Sequence, residues 1–145
     1  MLPERLRQFV AEHTAELPGI GEEVENHLRN VMTMREEQAR FAKRPKLLKP
    51  AEEPFWQELR AEVERLEGVV DADIAHIGTC AWLRQIRYPL FTILADIKAM
   101  RLMQCKYRTS YLAEHGREAG RLERLVDEHF REECADDSQG VLLDA

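Results

Sequence analysis

Val69–Met103 reads VVDADIAHIGTCAWLRQIRYPLFTILADIKAMRLM, the longest region of the chain in which apolar residues outnumber charged ones. Its second half decides the fold. In Leu90–Met103, ten of fourteen residues are apolar: Leu90, Phe91, Ile93, Leu94, Ala95, Ile97, Ala99, Met100, Leu102 and Met103. Set at about 100° per residue they reach nearly every side of a helix, and a helix apolar all round is buried all round. The expectation is a central helix of a bundle, or one that gives part of its face to an oligomer interface. Tyr88-Pro89 breaks the chain ahead of it, because the residue before a proline avoids the helical region. The first half carries Ile74, Ile77, Ala81 and Ile86 at helical spacing, with Gly68 and Gly78 as points where that helix weakens or splits. Val69–Ile77 also alternates partly as a strand would, but a lone strand finds no second strand elsewhere in the chain. The whole stretch therefore predicts a helical hairpin turning about Tyr88-Pro89.

The flanking segments supply helices to surround it. Leu6, Phe9, Val10, His13 and Leu17 form one stripe of a first helix beginning at Pro3, and Leu17-Pro18-Gly19 stops it. Ile20–Lys43 follows with a stripe of Ile20, Val24, His27/Leu28, Val31, Met34, Gln38 and Phe41, a near-heptad seam with two polar members. Glu22, Glu23 and Glu25 open this helix and Arg40, Lys43 and Arg44 close it, the order that complements the helix dipole. Arg44–Pro50, RPKLLKP, reads as an ordered basic connector. A third helix starts near Pro50–Pro54, with Phe55/Trp56, Leu59, Val63, Leu66 and Val70 on its inner face. The helix from Pro89 extends to about Glu114, His115-Gly116 ends it, and a fifth carries Leu122, Leu125/Val126, His129 and Phe130. The expected fold is all-α: an antiparallel bundle of about five helices, four of them long, with helix four central. It spans residues 1–135 as one domain, followed by an acidic, flexible tail at 136–145.

Composition agrees with this reading. The chain has 145 residues, 44% apolar and 33% charged, a size and balance suited to one globular domain. The net charge of −6 weighs against a dedicated nucleic-acid binder. The charge is segregated, however: Arg84, Arg87, Lys98, Arg101, Lys106 and Arg108 face only Asp96 in the middle, and the residues from Glu132 onward carry acids alone. Cys80, Cys105 and Cys134 form no metal-ligand spacing in sequence, and an odd, scattered set suits a reducing compartment. With neither a signal-peptide pattern nor an apolar run long enough to span a bilayer, the expected location is the cytoplasm, without membrane contact.

No motif fixes a chemistry. In the hairpin, His76 lies level with Arg101 and Asp73 with Gln104, so a buried Asp–Arg or Asp–His pair is expected, setting helix register more readily than doing acid–base work. The function expected is non-catalytic: a cytoplasmic interaction or adaptor protein that associates with itself and binds another protein through apolar helix faces, with Trp82, Arg84, Arg87, Arg101 and Tyr107 as contacts. No cofactor is required. One alternative is a metal-binding bundle with Asp73, His76, Glu23 and His27 as ligands, since carboxylate and imidazole one turn apart point the same way. The local structural reading, histidines satisfied by neighbouring carboxylates, is the stronger of the two. A second alternative is a nucleic-acid or phosphate binder using the basic, aromatic segment 84–108, which the overall acidity disfavours.

Overall fold

The computed structural model describes residues 1–131; the acidic tail expected at 136–145 lies outside the described residues. The described chain forms five α-helices, α1 Glu4–His13, α2 Ile20–Ala42, α3 Glu53–Gly78, α4 Tyr88–Ser110 and α5 Ala113–His129, with a 3-10 turn at Ala81–Arg84 between α3 and α4. There is no strand among the described residues, and Val69–Ile77 is helical throughout. The fold is all-α, with four long helices and one short one.

Each helix begins and ends where local chemistry asks. Pro3 stands before α1 and Pro54 falls in the first turn of α3, positions where a missing backbone N–H costs nothing. Gly19, at φ 81°, turns the chain from α1 into α2, a left-handed backbone that glycine adopts without steric cost. Pro89 opens α4. Arg5 donates to the carbonyl of His129, the last residue of α5, at 3.4 Å and to that of Arg131 just beyond it at 2.8 Å, so a cation sits at the C-terminal end of α5.

Two of the expected boundaries move. Gly68 does not split α3, and the continuous stripe expected as far as Ile86 ends at Gly78, where the 3-10 turn takes over. His115-Gly116 is not a stop but lies inside α5. The break comes earlier, at Tyr111, whose backbone sits at φ 58° with its N–H bonded to the Tyr107 carbonyl at 2.8 Å. Gly116 serves packing instead: a Cβ there would lie 2.9 Å from Cε1 of Tyr107.

Packing pairs α2 with α3 and α4 with α5, and lays α1 across α2 and α4. Cross-helix partners fix the directions. Along α2 the sequence Glu23, His27, Gln38 meets His76, Asp73, Glu67 of α3, and Asp96 and Gln104 of α4 meet His129 and Glu123 of α5. Residue numbers rise on one helix as they fall on its neighbour, so both pairs are antiparallel. The core is a single cluster drawn from all five helices: Leu6 and Val10; Val24, Leu28, Val31 and Met34; Leu66 and Val70; Leu90, Ile97 and Met100; Leu122 and Val126. Each such side chain stabilises the fold by roughly 1.5–3 kcal/mol relative to exposure. Among the described residues no helix is long and apolar enough to cross a membrane.

α4 packs closely on α5 and more lightly on α1. It reaches α2 and α3 through side chains such as Gln104 with Gln38 and Arg101 with Asp71, which makes it only in part the expected central element. It is not buried all round. Phe91 is 39% exposed and Leu102 58% exposed. The reason is geometric: α3 and α4 stand apart, joined by long side chains rather than close backbones, and the gap leaves one apolar face of α4 uncovered.

Candidate functional site

Three constellations stand out, and the first is the uncovered face. Between the C-terminal half of α3, the 3-10 turn and α4 runs a groove of about 370 Å³. Ile74 and Ile77 form one wall, Leu83 one end, and Phe91, Leu94, Ala95, Lys98, Ala99 and Leu102 the other wall, with His27 at the base. The wall is apolar because the α4 sequence is; it is open because α3 offers only Ile74 and Ile77 opposite. On α4 the residues Phe91, Ala95, Lys98 and Leu102 follow alternating steps of four and three, the spacing at which one helix presents a seam to another.

The second constellation lies where α2 begins and α3 ends. His76 Nε2 is 2.8 Å from Glu23 Oε2 and 3.6 Å from Cys80 Sγ. One turn further in, buried His27 meets Asp73 through Nδ1 at 3.2 Å, and Asn30 donates to the same carboxylate oxygen at 3.0 Å. Burial pushes the His27 pKa down, against the hydrogen bond and charge of Asp73, and the net shift is downward. Glu23, His27, Asp73 and His76 are thus brought together in two adjacent pairs rather than around one point, and Cys80 joins the outer pair.

The third is a polar network inside the other end of the bundle. Gln38, Glu67, Arg101 and Gln104 are all buried. Arg101 holds Asp71 through Nε and Nη2 at 2.7 and 2.9 Å and donates to Gln104 at 2.6 Å. Gln38 and Gln104 exchange amide hydrogen bonds at 3.2 and 3.1 Å. Gln38 also donates to Glu67 at 2.7 Å, and Arg108 grips Glu67 with two bonds of 2.8 and 2.6 Å. Arg35 joins α5 to the network through a two-pronged contact with Asp127 at 2.8 and 2.9 Å. Burial drives the Glu67 pKa up, but the bonds from Arg108 and Gln38 and the charges of Arg108 and Arg101 outweigh it, and the carboxylate is held below its ordinary range. Every member has a partner, which is the condition under which a buried polar network specifies one register.

The expected contacts fare unevenly. Arg84 and Arg87 are exposed, Arg87 beside the end of α1 at Glu12, His13 and Glu16, and Trp82 is half-buried against the core. Tyr107 is 43% exposed, its ring resting on Gly116. Arg101 is corrected: it is 5% exposed and bonded inside the network, so it is no surface contact. The expected hairpin register is corrected too. Asp71, not Asp73 or His76, stands opposite Arg101, because α3 ends at Gly78 and the chain reverses through residues 79–87, ahead of the expected turn at Tyr88-Pro89. Glu67 was not singled out by sequence, although Gln38 on an apolar stripe signalled that a polar partner would meet it. No protein-family model, curated protein or solved structure matches this chain.

Proposed function

We propose that this chain is a non-catalytic helical interaction protein that self-associates by laying the uncovered face of α4 against the same face of a second copy. The observation that carries the reading is the seam Phe91, Ala95, Lys98, Leu102, two large apolar residues of which are exposed above a 370 Å³ groove. Its order is self-complementary. If two α4 helices cross antiparallel about an axis between Ala95 and Lys98, Phe91 of one copy meets Leu102 of the other. The small Ala95 then leaves room for the Lys98 stem, whose ammonium reaches the rim. Such a contact is isologous, each residue meeting its counterpart twice, as in most closed dimers.

Trp82 and Arg84 in the 3-10 turn and exposed Arg87 just after it are the surface offered to a further protein partner, in the manner of Trp–Arg anchors. Free Cys80 and Cys105 suit the reducing cytoplasm. Two members of the basic segment, Arg101 and Arg108, are engaged by Asp71 and Glu67, which subtracts from a phosphate-binding reading. Light scattering at two concentrations tests the proposal: the wild type gains mass with concentration, and Leu102→Glu stays at the monomer mass of 16.9 kDa with unchanged helicity. A wild type that is monomeric at both concentrations overturns it.

A further inference from the structure

We propose that Glu23, His76 and Cys80 form a zinc(II) site that clasps the start of α2 to the end of α3. Glu23 comes from the first turn of α2, and His76 and Cys80 stand one turn apart at the end of α3, where the Cys80 thiol also donates to the His76 carbonyl at 3.4 Å. One ligand atom from each lies within 4.8 Å of the other two. They supply nitrogen, sulfur and oxygen, a mixed donor set that suits borderline-soft zinc and not the all-oxygen preference of calcium or magnesium.

The atoms that meet decide between metal binding and nucleophilic chemistry. A Cys–His–carboxylate relay needs the thiol on one ring nitrogen and the carboxylate on the other. Here Glu23 Oε2 and Cys80 Sγ both face Nε2 of His76, at 2.8 and 3.6 Å. Three donors therefore converge on one region of space. Ligands around a tetrahedral zinc with bonds of roughly 2.0–2.3 Å stand about 3.3–3.6 Å apart. The His76–Cys80 separation already matches. Glu23, which its partly exposed side chain lets move, withdraws from His76 by about half an ångström and comes to about 3.5 Å from Cys80, from which it now stands within 4.8 Å.

The surroundings fit as well. The side chains of His76 and Glu23 are 63% and 37% exposed, so an ion has a path in and a fourth position stays open to water. Asp73 and His27 are occupied with each other and with Asn30, which leaves His76 to the outer cluster. Zinc entering displaces the Cys80 thiol proton to solvent as the Zn–S bond forms. The Nε2 proton that His76 donates to Glu23 also leaves to solvent, the neutral ring carrying its remaining proton on Nδ1, with no change of oxidation state.

Cobalt(II) titration of the full chain, with its cysteines reduced, tests the site. The expected result is one cobalt per chain, with the thiolate-to-cobalt charge-transfer band and the intense visible absorption of four-coordinate cobalt, both removed when zinc displaces it. Cys80→Ser abolishes the charge-transfer band while the far-ultraviolet helical signal is kept, and Cys105→Ser and Cys134→Ser retain the band. His76→Gln and Glu23→Gln weaken binding by more than about tenfold, the least that losing even a partner which only orients a ligand costs. Absence of the band in the wild type, or its survival in Cys80→Ser, overturns the proposal.

Discussion

Glu67→Leu tests whether the buried network holds the bundle's register. The Glu67 side chain is 7% exposed and binds Arg108, Gln38 and, at 3.8 Å, Arg101. Leucine keeps most of the volume, so little of the effect comes from a cavity. Three consequences follow. Arg108, whose side chain is 53% exposed, regains water and loses little, as half-exposed ion pairs contribute about 0–1 kcal/mol. Gln38 keeps Gln104 as acceptor and loses one bond, about 1 kcal/mol. Arg101, 5% exposed, keeps Asp71 but loses a nearby buried counter-charge; leaving a buried charge without its partner costs roughly 3–5 kcal/mol, here reduced because Asp71 remains. The expected total is about 2–4 kcal/mol, read as a lowered urea midpoint with an unchanged slope. Arg65→Ala, which breaks the exposed pair with Glu62 at 2.6 Å, is the comparison and leaves the urea midpoint close to that of the wild type. Adding Arg101→Met to Glu67→Leu restores part of the loss, because the buried charge that Glu67 no longer offsets is then removed as well. A Glu67→Leu protein as stable as the wild type, or a double variant that loses the sum of both single effects, refutes the reasoning.

Acid acts in two windows. The pKa values of His27 and His129 are both pushed down by burial, against Asp73 and Asp96 respectively, so the unfolded chain takes up protons that the folded one resists. Their effect is fully favourable above the ordinary histidine value of about 6.5 and stability falls as the pH drops from there through the folded-state values. Glu67 has a depressed pKa, so its contribution is present above the ordinary carboxylate range and is lost below it, as the pH passes through the folded value. Urea midpoints measured at pH 7.5, 6 and 4 should decrease in that order; a midpoint that rises between pH 7.5 and 6 contradicts the histidine assignment. Leu90→Ala, at a side chain with no exposed surface in the first turn of α4, should cost about 2–5 kcal/mol by thermal or urea unfolding, and a loss under 1 kcal/mol would show that α4 does not close the core.

The helices were legible because their signals are local. The stripes of α1, α2 and α3, Pro89 in the first turn of α4 and Gly19 ahead of α2 each state a period or a break within a few residues. What depended on distant contacts was not legible. Gly116 resembles a helix stop, and only the approach of Tyr107 explains why it sits within one. Arg101 looked like a surface anchor because its partner Asp71 lies thirty positions away across a connection whose length the 3-10 turn sets. Leu90–Met103 looked buried all round, but burial needs a neighbour on every side, and periodicity in one helix says nothing of the spacing of the next. At the outer cluster, the sequence pointed to Glu23 and His76 through their helical neighbours, whereas Cys80 joined them only through the turn that follows Gly78.

In the proposed dimer α4 pairs antiparallel with α4 of a second copy, with Ala95 of one lying over Lys98 of the other. Cysteine cross-linking measures this directly, in protein whose own cysteines have been changed to serine. Ala95→Cys protein and Lys98→Cys protein are oxidised separately and as a mixture, and the covalent products are identified by mass. Paired as proposed, the mixture gives a covalent dimer containing one chain of each kind, at a higher yield than either protein alone. No covalent dimer in the mixture, or dimers of Ala95→Cys alone formed as readily as mixed ones, would contradict the pairing.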